Sequence, residues 1–102
     1  PDHYHVVLSL HGEASISDVV RRVHSALSRK AKREFGITGR VWQRRFYDHV
    51  VRDDKDWQDK IGYMHANPVS AGLGEEQTEY RWSSARFWRT GEGLAACDPP
   101  WW

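Results

Sequence analysis

Two histidines near the start of the sequence, His3 and His5, are separated by a single residue. In an extended chain, side chains two residues apart point to the same face, so these imidazoles would lie together while Tyr4 points away. Two neutral imidazoles presented side by side form half of a site for a divalent metal. A chain with 6 histidines also produces such a pair by chance, so the pair must be judged with the rest of the sequence.

A second pair of polar residues, Tyr63 and Asn67, follows the helical spacing of four. An amide oxygen suits hard cations such as Mg²⁺ or Mn²⁺, and imidazole suits Mn²⁺ better. Facing the histidine pair, this arrangement would let a metal polarise a phosphate while the tyrosine attacks phosphorus. The alternative is that Tyr63 is a half-buried aromatic and Asn67 ends a helix before Pro68. Spacing alone favours that alternative.

Positive charge is concentrated in one part of the chain. The net charge is only +1, yet residues 21–45 contain nine basic residues and one acid. Such asymmetry is typical of a surface that binds a polyanion such as nucleic acid, although a single basic helix is more often just a solvated face. We call the eight residues expected to contact phosphates the basic cluster: Arg21, Arg22, Arg29, Lys30, Lys32, Arg33, Arg44 and Arg45.

Two segments have the composition of β-strands. The first, His3–Leu10, is largely apolar, and the second, Val41–Arg52, is rich in β-branched and aromatic residues. Arg45, Tyr47 and His49 would alternate on one face of the second strand. His49 is therefore a candidate supporting residue for the site or for DNA, with a packed or exposed histidine as the alternative.

Two helices are expected between and after these strands. The first would be capped by Ser15 or Ser17 and would run to about Glu34, with apolar residues at helical spacing. The second would be capped by Asp53 or Asp54.

Later features set the end of the second helix and the expected core. Pro68 is predicted to end or kink that helix, because the residue before a proline avoids the helical conformation. Trp42, Trp57 and Trp82 are expected to lie in the core.

Composition limits the class of protein. A chain of 102 residues is predicted to form one small domain. There is no apolar run of the roughly 18 residues that a membrane span needs, and no leader pattern, so neither a membrane span nor a secretory signal is expected. The single Cys97 cannot form an internal disulfide, which fits a reducing cytosol.

Four segments together resemble a known family. DHYHVVL, VWQRRFYDHVVRD, IGYMHANPVSAGL and RWSS, in this order, are similar to the REP-associated tyrosine transposases. These are single-tyrosine HUH endonucleases of the insertion-sequence-200-like transposase superfamily, and the likeness covers roughly residues 1–88. It implies that His3 and His5 are metal ligands for Mg²⁺ or Mn²⁺. It also implies that Tyr63 is the nucleophile and that Asn67 completes the metal site.

The resemblance also implies a fold and an activity. The fold would be a ferredoxin-like α+β domain over residues 1–90, with an antiparallel sheet, helices on one face and a C-terminal tail at 91–102. The family's first strand and helix would precede residue 1, so the sheet would be incomplete and could be filled by an upstream segment or by a second copy in a homodimer. The activity would be cleavage of single-stranded DNA near hairpin elements, leaving a 5′-phosphotyrosine and a free 3′-OH, in the prokaryotic cytosol or nucleoid.

Two other functions are compatible with parts of the sequence. The chain could be a catalytically inactive module that binds hairpin or single-stranded DNA through the basic cluster. It could also be a small structural zinc domain, but this is the least favoured because structural zinc sites need four ligands and no cysteine pair accompanies the histidines.

Overall fold

Three α-helices form the regular secondary structure in this computed structural model, which describes residues 2–94 and 97. Helix α1 spans Ile16–Phe35, α2 spans Asp54–Ser70 and α3 spans Ala85–Thr90. Over the described residues, none of the helices is both long and apolar enough to cross a membrane. The rest of the predicted tail, residues 95, 96 and 98–102, lies outside the described residues.

Helix α1 is capped at both ends by local hydrogen bonds. The Ser15 hydroxyl accepts a hydrogen bond from the Asp18 backbone N–H at 3.1 Å, which satisfies one of the free donors of the first turn. At the other end Gly36 adopts φ 63°, and its N–H donates to the Lys32 carbonyl. The predicted helix is confirmed, with Ser15 as the cap and an end one residue beyond Glu34.

Helix α2 is also capped as predicted, but it ends later than expected. The Asp53 carboxylate accepts from the Asp56 backbone N–H at 2.8 Å. The predicted end at Pro68 is wrong, because the helix continues to Ser70 with the proline buried inside it. A proline in the last turn removes only one hydrogen-bond donor, and the chain then leaves the helix at Gly72, which adopts φ 75°.

The ferredoxin-like fold is wrong for this structure. The described residues contain no β-strand, either at His3–Leu10 or at Val41–Arg52. β-Branched and aromatic residues favour an extended backbone, but a strand exists only where a second segment completes the ladder of hydrogen bonds. The sequence pattern does not supply that partner. The predicted homodimer stays a prediction.

The chain divides into two units, which we describe separately. The first, here called the basic unit, is Val6–His49 and contains α1. The second, here called the tyrosine unit, combines residues 2–5 with residues from 50 onward and contains α2 and α3. The tyrosine unit is therefore discontinuous in sequence, with the whole basic unit inserted between its two parts.

An aromatic contact stabilises the basic unit. The rings of His24 and Trp42 stack with centroids 4.0 Å apart and an interplanar angle of 4°. The Trp42 indole Nε1–H also donates to the His24 carbonyl at 3.1 Å, which links α1 to the segment that follows it. Trp42 is half-buried and not part of a buried core, so the predicted core position is wrong.

The tyrosine unit contains the buried residues of the described chain, His65, Pro68 and Ala85. Half-buried Trp57 of α2 meets Trp88 of α3 edge to face, with ring centroids 5.6 Å apart. Trp82 was expected in the core, but this prediction is wrong because its side chain is 71% exposed.

Candidate active site

Three aromatic rings from distant parts of the sequence meet in the tyrosine unit. The imidazoles of His3 and His5 lie edge to face with centroids 5.1 Å apart. His5 lies edge to face with the phenol ring of Tyr63, with centroids 5.7 Å apart. Tyr63 is 60% exposed, so its side chain is accessible to solvent. The structure thus brings together the two predicted metal ligands and the predicted nucleophile.

A carboxylate that the sequence reasoning missed holds the first of these rings. The Nδ1–H of His3 donates to Oδ1 of Asp2 at 2.6 Å, and this hydrogen bond lowers the pKa of the Asp2 carboxyl. A histidine that donates from Nδ1 keeps its lone pair on Nε2, the arrangement common among metal-ligating histidines. The available signal was the acidic residue directly before the first histidine.

Asn67 lies on α2 one turn after Tyr63, as the spacing predicted, and it is half-buried. Its backbone carbonyl accepts from the Ala71 N–H at 2.9 Å, and its role as third metal ligand stays a prediction. Within the described ranges, no group of three or more His, Cys, Asp or Glu side chains is placed to hold a metal. The predicted donors are of a different kind, two imidazoles and an amide oxygen, and their binding of Mn²⁺ or Mg²⁺ stays a prediction.

All eight residues of the basic cluster are exposed, and all belong to the basic unit. Six of them lie on α1, where the helical repeat places them within about half of its circumference. Some take part in ion pairs, such as Arg21 with Asp18 at 2.8 Å and Arg33 with Glu34 at 3.7 Å. Exposed ion pairs are weak, so these arginines remain able to exchange their partners for phosphate.

His49, the candidate supporting residue, is exposed and belongs to the basic unit. The three rings of the candidate site belong to the tyrosine unit. A supporting role for His49 therefore stays a prediction.

The buried histidine of α2 has a different role from the exposed pair. His65 Nε2 lies 2.9 Å from the Ser84 hydroxyl, which joins α2 to the residue preceding α3. Burial lowers the pKa of His65. Its position two residues beyond Tyr63 turns it by about 200° around the helix, away from the phenol. It borders an open groove of about 470 Å³, whose other lining residues are Val69, Glu75, Glu76, Gln77, Thr78, Ala85 and Arg89.

The sequence match to a family covers this site. The family described as Transposase IS200 like matches residues 1–64, more than half of the chain and a range that includes all three rings. The chain belongs to the IS200-like transposase family, which confirms the resemblance drawn from the four segments. Asn67 and Ser84 lie beyond the matched range. No solved structure matches the chain.

Curated proteins show the same relationship. A Haemophilus influenzae protein provisionally named as a REP-associated tyrosine transposase is 42% identical over 57 residues, which is 56% of this chain and 30% of that protein. The REP-associated tyrosine transposase of Escherichia coli is 26% identical over 85 residues, covering 82% of this chain and 48% of that protein. An uncharacterised Haemophilus influenzae protein is 33% identical over 55 residues, 54% of this chain and 30% of its own length. The chain thus spans less than half the length of these relatives.

Proposed function

We propose that this chain carries the catalytic site of a metal-dependent single-strand DNA endonuclease that acts in transposition. Tyr63 would be the nucleophile, and His3, His5 and Asn67 would hold Mg²⁺ or Mn²⁺. The substrate would be single-stranded DNA beside a hairpin element of the REP type. Membership of the IS200-like family supports the reaction class, and the names of two relatives support the tyrosine and the element.

The single observation that carries this proposal is the contact between His5 and Tyr63, with ring centroids 5.7 Å apart. The two residues are far apart in sequence, so helical or strand spacing cannot account for their meeting. Tyr63 also keeps 60% of its surface exposed, so its side chain is accessible from solvent.

The protein's own residues account for most of the proposed chemistry. A phenol is a weak nucleophile at neutral pH and needs help to lose its proton. The Tyr63 oxygen would bond to phosphorus as the bond from phosphorus to the 3′ oxygen breaks. The phenolic proton would pass to solvent water and the released 3′ oxygen would take a proton from water, leaving a 5′-phosphotyrosine and a free 3′-OH. A bound divalent metal would supply charge stabilisation at the phosphate.

Asp2 would act through His3 rather than on the substrate. Its hydrogen bond at 2.6 Å fixes which imidazole nitrogen donates a proton and limits rotation of the ring. The ring is then presented with Nε2 free to bind a cation.

The basic cluster would supply the affinity for DNA. Eight exposed cations in one unit can contact phosphates without reading sequence, so they would position a strand while the tyrosine unit does the chemistry. A DNA substrate also agrees with a location in the prokaryotic cytosol or nucleoid.

The test is covalent capture. Wild-type protein incubated with end-labelled single-stranded hairpin DNA and Mn²⁺ should give a protein–DNA species that survives denaturation. Tyr63→Phe removes one oxygen and should abolish that species while leaving DNA affinity unchanged. Tyr47→Phe is the matched control, because Tyr47 is 93% exposed and lies in the basic unit.

Two results would contradict the proposal. An adduct of normal yield in Tyr63→Phe would exclude this residue as the nucleophile. Wild-type protein that binds the hairpin but never forms an adduct would instead identify a catalytically inactive DNA-binding module.

A further inference from the structure

We propose that Arg81 and Trp82 form a contact for one unpaired nucleotide of the DNA strand, and that this contact is fastened to the helix that carries Tyr63. The identity of the strand rests on the proposed function. The contact itself rests on side chains that neither the predicted metal site nor the basic cluster includes.

The first observation is the exposure of Trp82. The indole is 71% exposed, although tryptophan is among the residues that a small domain gains most by burying. The Arg81 guanidinium carbon lies over the ring, 4.9 Å from its centroid. A cation held on an exposed indole leaves most of the ring open to a planar ligand, and a nucleic-acid base is such a ligand.

The second observation is charge. Residues 80–90 include three arginines and no acid. Arg89 pairs with Glu76 at 3.8 Å, whereas Arg81 forms no ion pair with a carboxylate among the described residues. Arg81 is therefore a cation available to a phosphate, next to an aromatic ring available to a base. That combination is the usual one in proteins that bind single-stranded nucleic acid.

The third observation is the attachment of this segment to α2. Ser84 follows Trp82 by two residues, and its hydroxyl lies 2.9 Å from Nε2 of His65, which follows Tyr63 by two residues. The edge-to-face contact between Trp57 and Trp88 provides a second link between α2 and α3. A nucleotide stacked on Trp82 would therefore be held at a fixed position relative to α2, the helix that carries Tyr63. In this proposal the buried His65 connects the two.

Binding of a fluorescein-labelled single-stranded oligonucleotide, followed by anisotropy, tests the stacking. Trp82→Ala should weaken binding roughly 5- to 140-fold, the range expected from the loss of one base–aromatic stack. Trp82→Phe keeps an aromatic face and should recover much of the affinity. Leu73→Ala removes a 41% exposed apolar side chain elsewhere in the tyrosine unit and should bind as the wild type does.

An oligonucleotide with abasic sites separates stacking from charge, because it keeps every phosphate and loses the stacking partner. Wild-type protein should bind the abasic strand less tightly than the intact strand, whereas Trp82→Ala should bind both equally. Circular dichroism of the variants at matched concentration shows whether they keep the wild-type helix content. If Trp82→Ala loses helix, the comparison of Trp82→Phe with wild type on the abasic strand decides the question, since both should lose the same stack.

Undiminished binding by folded Trp82→Ala, or wild-type indifference to abasic sites, would overturn this inference while leaving the Tyr63 adduct intact. If wild-type protein forms no adduct but still distinguishes intact from abasic DNA, only the proposed function is overturned.

Discussion

The two units of this chain are stabilised in different ways. In the basic unit, α1 has no buried residue, and the unit is fastened by the stack of His24 on Trp42. In the tyrosine unit, α2 buries His65 and Pro68, and the hydrogen bond to Ser84 adds a link to the residue before α3. The unit expected to bind phosphates is thus the loosely packed one, and the unit expected to do chemistry is the anchored one.

This difference follows from the range over which each interaction acts. Charges on an exposed surface attract a polyanion over a Debye length, about 8–10 Å at ordinary salt, so their exact placement matters little. A nucleophile must instead be held close to the reacting phosphorus in a defined orientation, and a small displacement is costly. Substitutions in the two units should therefore have separable effects.

Substitution of the histidine pair is expected to separate catalysis from DNA binding most strongly. His3→Ala combined with His5→Ala should abolish Mn²⁺ binding in calorimetry and should abolish metal-dependent cleavage, because both imidazole ligands are lost. DNA binding should persist, since the basic cluster is untouched. His11→Ala, at an exposed position just before a turn of the basic unit, is the control. Retention of wild-type Mn²⁺ affinity in the double variant would contradict the metal assignment.

Substitutions in the basic cluster should weaken DNA binding and leave formation of the Tyr63 adduct unchanged. Arg29→Gln and Lys32→Gln each remove an exposed cation of α1, and each should lower the slope of log affinity against log salt by roughly 0.7 to 0.9. The yield of Tyr63 adduct at saturating DNA should stay at the wild-type level. Lys60→Gln, an exposed lysine of α2, should leave the slope unchanged. A salt-independent affinity in the wild type would show that the cluster does not contact phosphates.

A smaller effect is expected at Asp2. Asp2→Asn keeps the shape of the side chain but removes its charge, and it should lower Mn²⁺ affinity about tenfold, the low end for partners of metal-ligating histidines. The ¹⁵N shifts of the His3 ring should show a loss of the Nδ1–H tautomer. Asp59→Asn breaks a comparably exposed contact, to Lys55 at 2.7 Å, and should alter neither readout. An unchanged tautomer in Asp2→Asn would refute the positioning role.

The smallest effect should be a loss of stability on acidification, and it should appear in the tyrosine unit only. Burial lowers the pKa of His65, so the unfolded chain binds a proton before the folded chain does. The contribution of His65 to stability is therefore complete above its ordinary pKa of 6.5 and is lost as the pH falls through the folded value. Hydrogen-exchange protection of α2 should decrease over this range relative to α1. In His65→Gln this difference between the helices should vanish.

Features that depend on neighbouring residues are predictable from the sequence, and features that depend on a distant partner are not. Ser15 and Asp53 cap their helices through contacts only three residues away, which spacing alone predicts. The prediction of a strand at Val41–Arg52 is wrong, because a strand needs a second segment to pair with. The prediction that α2 ends at Pro68 is wrong, because a helix tolerates a proline in its last turn.

The candidate site divides in the same way. The histidine pair and Tyr63 were found from residue type and family resemblance, and the structure brings their rings together. The partnership of His65 with Ser84 was missed, since nothing in either residue's neighbourhood points to the other. Exposure of Trp82 was missed because composition cannot tell a core tryptophan from a surface one.

The interrupted sequence of the tyrosine unit has a consequence for folding and for evolution. The contact of His5 with Tyr63 closes a loop that contains the entire basic unit, so it can form only after the ribosome has synthesised α2. The entropic cost of closing such a loop grows slowly, by about 0.6 kcal/mol for each doubling of its length. The inserted segment could therefore be lengthened or exchanged over generations at little cost to the histidine–tyrosine contact, so the number of exposed cations that it carries can change while that contact is kept.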